Sequence, residues 1–330
     1  MSIENRILKY VEQISPENLG LNGKIESVRL IGTGSGESNK VYFLSINEKP
    51  FLLKTNGVRG KDHEFFRKEF LKLKALEKYS IAPRAFVYDE IALDGQSMIL
   101  EMIPGRTAKP EEIPIFLNQI IATLNKIVSI PAEELRKNEG FKRDITTCLE
   151  YVNMFPRHAT KQLGEYDKRF GHDEAYKIAS ESISNAGIFI EYNKDAFNNT
   201  EMGLIHTGLH AGNIILTPES RIRLVDWEHS GIGDRAFEIS SLFRSNNLSL
   251  EQQRAVYSEY SGKTGEFEER VEVYTEIFKI HEVLWNAIRY DKARKGEINL
   301  DQNKNMIYYS GLFQKHLSVL KQSRLQSLRS

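Results

Sequence analysis

Cysteine is almost missing from this chain: its one thiol, Cys148, cannot close an intramolecular disulfide, so no disulfide framework holds the fold. Net charge is missing too. Forty-five basic and 45 acidic side chains cancel, so no overall field favours nucleic acid or an anionic membrane. No run approaches the roughly 20 apolar residues of a spanning helix, and 27% charged residues suit a soluble globular protein. The opening stretch MSIENRILKYVEQIS has neither a basic segment nor a continuous apolar core, which leads us to expect a cytoplasmic protein. Internal repeats and low-complexity blocks are absent as well.

What is present is length and patterning. A chain of 330 residues is long for one simple core and suits two packed lobes. Residues 3–14 show an amphipathic helical pattern that Pro16, Gly20 and Gly23 interrupt. From Ile25 to Val87 the chain reads as strand, glycine loop, strand, turn, strand (Pro50 to Lys54), helix (about 61–79) and a further strand around 85–88. The apolar run Ser97 to Met102 ends in Ile103-Pro104-Gly105, and helical patterns then dominate around 111–130, 142–164 and 172–192. This places a lobe boundary near residues 103–110, with an N-terminal lobe over 1–103 and a C-terminal lobe over 104–330. Residues 203–226 break the helical pattern with two short strand candidates, Ile214 to Leu216 and Ile222 to Val225. Chemistry is expected on that break.

Three groups of residues are candidates for a site. The loop Gly32-Thr33-Gly34-Ser35-Gly36-Glu37-Ser38-Asn39 lies between strand-like segments. Glycines tolerate positive φ and expose N–H groups that can close over phosphate oxygens. Its spacing fits neither the dinucleotide-binding fingerprint nor a P-loop, and taken alone an ordinary hairpin turn explains it equally well. Lys54 closes the strand Phe51-Leu52-Leu53-Lys54, and Glu69 lies along the inward edge of the helix that carries Phe66, Phe70 and Leu73. An ion pair between them would satisfy a buried carboxylate, whereas two solvated surface charges are the commoner fate of Lys and Glu. The third group is Leu204-Ile205-His206-Thr207-Gly208-Leu209-His210-Ala211-Gly212-Asn213, followed after a turn by Leu224-Val225-Asp226-Trp227-Glu228. An Asn and an Asp thirteen residues apart, each beside one strand of a hairpin, can bring two oxygen ligands to one point, as hard Mg²⁺ requires.

From about residue 25 to 245 the sequence resembles the aminoglycoside phosphotransferase and choline kinase-like family, whose loop reads His-Gly-Asp-Leu-His-x-Gly-Asn. The resemblance implies an α+β, two-lobed protein kinase-like fold. Its small N-terminal lobe would be an antiparallel β-sheet with one main helix, and its larger C-terminal lobe mostly α-helical. It implies ATP or GTP and Mg²⁺ as cofactors, with Asn213 and Asp226 as metal ligands, Lys54 on the nucleotide phosphates and Glu69 as its partner. Gly32, Gly34, Gly36, Ser38 and Asn39 would form the phosphate lid. Backbone groups near Glu101 and Ile103 would meet the adenine edge, and His206 would pack beneath the site.

One position departs from the family. Gly208 stands where relatives keep the aspartate that accepts the acceptor hydroxyl's proton, and glycine cannot do so. The implied protein is a small-molecule kinase of impaired turnover, or else a nucleotide-binding pseudokinase acting as a regulatory or binding module. His210 or Glu228 standing in for the missing base is a third reading, but relatives carry a histidine at the place of His210 beside an intact aspartate. After Asp226 the chain leads quickly through Gly231-Ile232-Gly233-Asp234 into a helix, which leaves no room for a protein-substrate platform and favours a small hydroxyl acceptor. Glu228 and Asp234, with Glu282, are candidates to meet a cationic acceptor, and Trp285, Tyr290 and Tyr192 to offer it an aromatic face. Solvated charge and core packing are the plainer explanations for these side chains.

Overall fold

The computed structural model describes residues 2–35, 39–56, 63–142, 145–298 and 306–328. In chain order its elements begin with α1 (Ile3–Glu12), β1 (Val28–Ser35), β2 (Asn39–Ile46), β3 (Lys49–Asn56), α2 (His63–Leu76), β4 (Ala85–Asp89), β5 (Ser97–Glu101) and β6 (Arg106–Thr107). There follow α3 (Leu117–Val128), α4 (Ala132–Arg136), α5 (Cys148–Phe170), α6 (Glu174–Tyr192), β7 (Met202–Ile205), β8 (Ile214–Leu216), β9 (Ile222–Leu224) and β10 (Gly231–Asp234). The chain ends in α7 (Arg235–Asn246), α8 (Leu250–Glu259), α9 (Phe267–Arg294), α10 (Met306–Lys321) and α11 (Arg324–Ser327). No helix among the described residues is long and apolar enough to cross a membrane.

The chain divides into two compact units, Met1–Lys142 with His210–Ser230, and Arg143–Leu209 with Gly231–Ser330. This division differs from a cut at residues 103–110, because helices α3 and α4 and the β8–β9 hairpin cluster with the N-terminal sheet.

The first unit is built on an antiparallel five-stranded sheet of order β1-β2-β3-β5-β4. Strand alternation decides its two faces. Leu44, Ile46, Phe51 and Leu53 are buried in one cluster with Ile7 and Val11 of α1. Lys54, one residue beyond Leu53, is therefore sent to the opposite face. There α2 presents buried Phe66 and Leu73 at helical spacing, with Phe66 and Phe70 packed on Tyr88 of β4. A second, three-stranded sheet of order β6-β8-β9 carries the hairpin.

Helix α3 shows why its sequence is helical. Leu117, Ile120, Ile121, Leu124 and Ile127 form one fully buried stripe, worth roughly 1.5–3 kcal/mol for each large apolar side chain removed from water. The pattern from residue 111 overstates its start, because Pro110–Glu112 form a separate 3-10 turn.

In the second unit, α5 begins at a capping box in which Thr147 accepts from the Glu150 N–H at 3.1 Å and the Glu150 carboxylate accepts from the Thr147 N–H at 3.2 Å. It ends at Gly171, whose φ of +72° no ordinary residue adopts cheaply. The core here is aromatic: Tyr151, Phe155, Phe237, Tyr274 and Phe278 meet edge-on or tilted at centroid separations of 4.9–6.3 Å. Strands β7 and β10 pair with Gly203 opposite Gly233.

Candidate active site

In the first unit Lys54 is the centre of a charged cluster. Its register on β3, opposite Val41 of β2 and Met98 of β5, holds the stem within the sheet. Its Nζ donates to both oxygens of Glu69, at 2.9 and 2.7 Å, and both side chains are nearly inaccessible. Asp226 Oδ1 lies at 3.3 Å and Glu228 Oε2 at 3.6 Å from the same nitrogen. Burial alone would pull the Lys54 ammonium's pKa down, but the three carboxylates outweigh burial and raise it well above the ordinary lysine value. Lys54 is therefore a permanent cation.

The hairpin delivers the remaining oxygens. Ile214 to Leu216 pair with Ile222 to Leu224, and one residue past that ladder the Val225 N–H donates to the Asn213 carbonyl at 3.0 Å. Asn213 and Asp226 are thereby held at the same end of one hairpin. Asp226 has a left-handed backbone, φ +64°, unusual for any residue with a side chain and characteristic of sites where the surroundings over-determine the chain. Its side chain is half exposed and that of Glu228 about a quarter exposed, so both can be reached from solvent. Asn39 Nδ2 donates to Glu228 Oε2 at 3.2 Å, tying the start of β2 to this cluster.

The all-oxygen set of Asn213, Asp226 and Glu228 fits a hard divalent cation. No group of three or more His, Cys, Asp or Glu among the described residues is arranged to hold a metal by itself.

In the second unit the residues of the 206–209 loop are held from α7. Glu238, buried in the first turns of that helix, accepts from the Thr207 N–H at 2.8 Å. Ser241 Oγ donates to the Thr207 carbonyl at 3.3 Å, and Asn246 Nδ2 to the Leu209 carbonyl at 2.7 Å. His206 is buried, and its Nδ1 accepts from the Gly208 N–H at 3.3 Å. Thr207 has φ +72°, a genuine outlier for a β-branched side chain, which strains the loop by about 1–3 kcal/mol. Burial pushes the Glu238 carboxyl up to about 7, against the opposing pull of the backbone N–H groups of Thr207 and His206.

A phosphotransferase enzyme family model (APH) matches residues 29–272. The chain belongs to that family. The phosphotransferase is 35% identical over 57 residues to the thiamine kinase of Shigella boydii; this stretch is 17% of the chain and only 19% of that kinase. In fold it is similar to the ethanolamine kinase of Plasmodium vivax, with a TM-score of 0.64 and 16% identity over 96% of this chain and 87% of that one. It is also similar to the choline kinase LicA of Streptococcus pneumoniae, with a TM-score of 0.62 and 18% identity over 95% and 99% of the two chains. A structure of LicA in complex with AMP matches with a TM-score of 0.59 and 18% identity over 96% and 98%. These likenesses establish the kinase-like α+β fold expected from the motifs.

The remaining candidate residues fare differently. Gly32 and Gly34 lie in β1, opposite Phe43 and Val41, and neither has the positive φ that the glycine-rich composition suggests. Space counts at Gly32, where a Cβ would stand 3.3 Å from the Phe43 ring, whereas at Gly34 it would make an ordinary contact at 3.5 Å. Gly36 and Ser38 lie outside the described residues. The Glu101 N–H is committed to the Arg84 carbonyl at 2.8 Å, and its carboxylate accepts from the Arg84 N–H and from Arg223. Ile103 lies two residues past the end of β5.

Two acceptor candidates have other partners in the structure. Asp234 is fully buried, N-caps α7 through the Ala236 N–H, and accepts from Arg270 and Tyr274, so its charge is spent as a counter-ion inside the second unit. Trp285 is 38% exposed, but the Arg289 guanidinium already lies 4.8 Å from its ring centre. Glu228 sits in the Lys54 cluster of the first unit. Lys72, buried beside Glu69 on α2, escaped the motif reading, although its i+3 spacing from a buried glutamate on an apolar face was the available signal.

Proposed function

We propose that this phosphotransferase takes up ATP or GTP with Mg²⁺ through the Lys54, Glu69, Asn213, Asp226 and Glu228 cluster of the first unit. Its acceptor class is the hydroxyl of a small molecule, and a cationic one such as choline, ethanolamine or an aminoglycoside fits better than a sugar. The observation that carries this reading is one buried ammonium facing three carboxylates within 3.6 Å. Such a cluster has an excess of negative charge at a solvent-reachable edge, and a divalent cation is its electrostatic complement. Asn213, Asp226 and Glu228 would hold Mg²⁺, whose contribution would be neutralisation of phosphate charge. Lys54, held as a cation by Glu69, offers a fixed positive point to the same phosphates. The AMP complex of a structural relative supports nucleotide binding. A buried lone thiol accords with action in a reducing compartment such as the cytoplasm.

Gly208 sets the expected rate. General-base assistance contributes about 10²- to 10⁴-fold, whereas positioning and charge neutralisation survive without it, so nucleotide binding persists while turnover is low or absent. That same residue favours the second reading, a pseudokinase serving as a nucleotide-dependent regulatory module. Calorimetric titration of ATP with and without Mg²⁺, followed by phosphoryl-transfer assays on this chain and on Gly208→Asp, separates the two. The acceptor panel holds aminoglycosides, choline, ethanolamine, thiamine and sugars. Transfer that rises about 10²- to 10⁴-fold in Gly208→Asp supports an enzyme silenced at one position. Metal-dependent binding with no transfer in either form supports the pseudokinase, and no metal-dependent binding refutes the site.

A further inference from the structure

Lys72 is a buried lysine whose ammonium is spent on backbone carbonyls. It lies on α2, three residues after Glu69, and is only 5% exposed. Its Nζ donates to the Glu228 carbonyl at 2.8 Å and to the Ser230 carbonyl at 2.6 Å. Those two carbonyls flank the end of the 3-10 turn Trp227–His229 that directly follows Asp226. Carbonyls at the end of a helical turn lack partners within the turn, and a lysine ammonium is well suited to supply them.

The segment is rigid on its other sides. Trp227 is wholly buried, its Nε1 donates to the Leu224 carbonyl at 3.0 Å, and Ser230 Oγ donates to the Trp227 carbonyl at 2.7 Å. Helix α2 is itself anchored. Arg67 forms a two-pronged pair with Glu139 at 2.9 and 3.0 Å, and Gly140 approaches so closely that an added Cβ would stand 2.9 Å from both the Lys68 carbonyl oxygen and the Lys72 backbone nitrogen. One helix therefore grips Lys54 through Glu69 and the stretch after Asp226 through Lys72.

We propose that Lys72 is a positioning residue that fixes Asp226 and Glu228 against Lys54, so that the metal-binding oxygens and the phosphate-binding ammonium form one preorganised body with α2. This inference rests on the nucleotide site described above. It predicts a specific defect. Outer partners of metal ligands typically contribute 10- to 100-fold in metal affinity. In Lys72→Met, the ratio of the ATP dissociation constant without Mg²⁺ to that with Mg²⁺ is expected to fall about 10- to 100-fold, and half-saturating Mg²⁺ at fixed ATP to rise accordingly. Lys72→Arg, which keeps donors for both carbonyls, is expected to retain most of the ratio.

The test is calorimetric titration of the full chain and both variants with ATP, with and without Mg²⁺. A general loosening of the fold would weaken both affinities alike and leave the ratio unmoved, which would overturn the proposal, as would equal losses in the Met and Arg variants. Hydrogen–deuterium exchange on the unmodified chain gives an answer that does not depend on the variants folding. Mg²⁺ added to the ATP-bound protein is expected to slow exchange along α2 beyond ATP alone, and no added protection refutes the coupling. A parent chain that binds ATP with no response to Mg²⁺ brings down the site itself, a result distinct from an intact ratio in Lys72→Met.

Discussion

Lys54 keeps its charge in a place where burial alone would strip it, because three carboxylates surround it. Replacing it by methionine leaves Glu69 buried without a cation and still beside Asp226 and Glu228. Breaking such a pair costs about 3–5 kcal/mol, so the urea midpoint of Lys54→Met is expected to fall by that equivalent at pH 8. Acid should restore part of it, since a protonated Glu69 carries no charge, and comparing midpoints at pH 5 and pH 8 checks the sign. Glu238 gives a second pH effect. Its carboxyl is raised from 4.5 to about 7 in the fold. The folded state then binds the extra proton between those values, and the stabilising contribution is complete below 4.5 and lost as pH rises through about 7. The loss is about 3 kcal/mol, and Glu238→Gln is expected to abolish this part of the pH dependence when melting is followed from pH 5 to pH 8.

Among the elements, those legible in the sequence were the ones whose signal is local. Helix α3 shows its buried stripe at helical spacing, and the hairpin of β8 and β9 shows two short apolar runs around a turn. Helix α5 was displaced because its apolar pattern starts before Thr147 and fades before Gly171, while the chain's true start and stop are a capping box and a left-handed glycine. Lys54, Glu69 and Asp226, which the structure brings together, stand out in the sequence through strand alternation, helical spacing and the hairpin. The carbonyl partners of Lys72 and the counter-ion role of Asp234 do not, since a carbonyl 156 residues away and a buried arginine 36 residues away leave no periodic trace. The meaning of Gly105 also depends on a distant strand. Its φ is +135°, and a Cβ there would stand 2.3 Å from the Leu216 carbonyl oxygen of β8. Gly105→Ala is expected to lower stability by about 1–3 kcal/mol or more, measured by chemical denaturation, with the β6–β8 ladder losing exchange protection first.

At the scale of the whole molecule, ligand and fold are thermodynamically linked. If the first unit binds Mg·ATP, nucleotide at 100 times its dissociation constant adds about 2.7 kcal/mol to the stability of whatever unfolds with that unit. The melting temperature is expected to rise with nucleotide concentration in the presence of Mg²⁺ and to rise less with EDTA, which scanning calorimetry reads directly. The first unit is also discontinuous in the chain, with residues 1–142 completed by residues 210–230. Lys54 and Asp226 are 172 positions apart, so on a ribosome adding about 5–20 residues per second the lysine emerges roughly 10–30 s before its second carboxylate partner. During that interval the nascent sheet lacks β8 and β9, and α3 lacks the strand it packs on. A fragment released at Lys142 is thus an incomplete body with an uncovered apolar stripe, a natural client for chaperones, and the chain can complete its first unit only after most of the intervening helices have been synthesised.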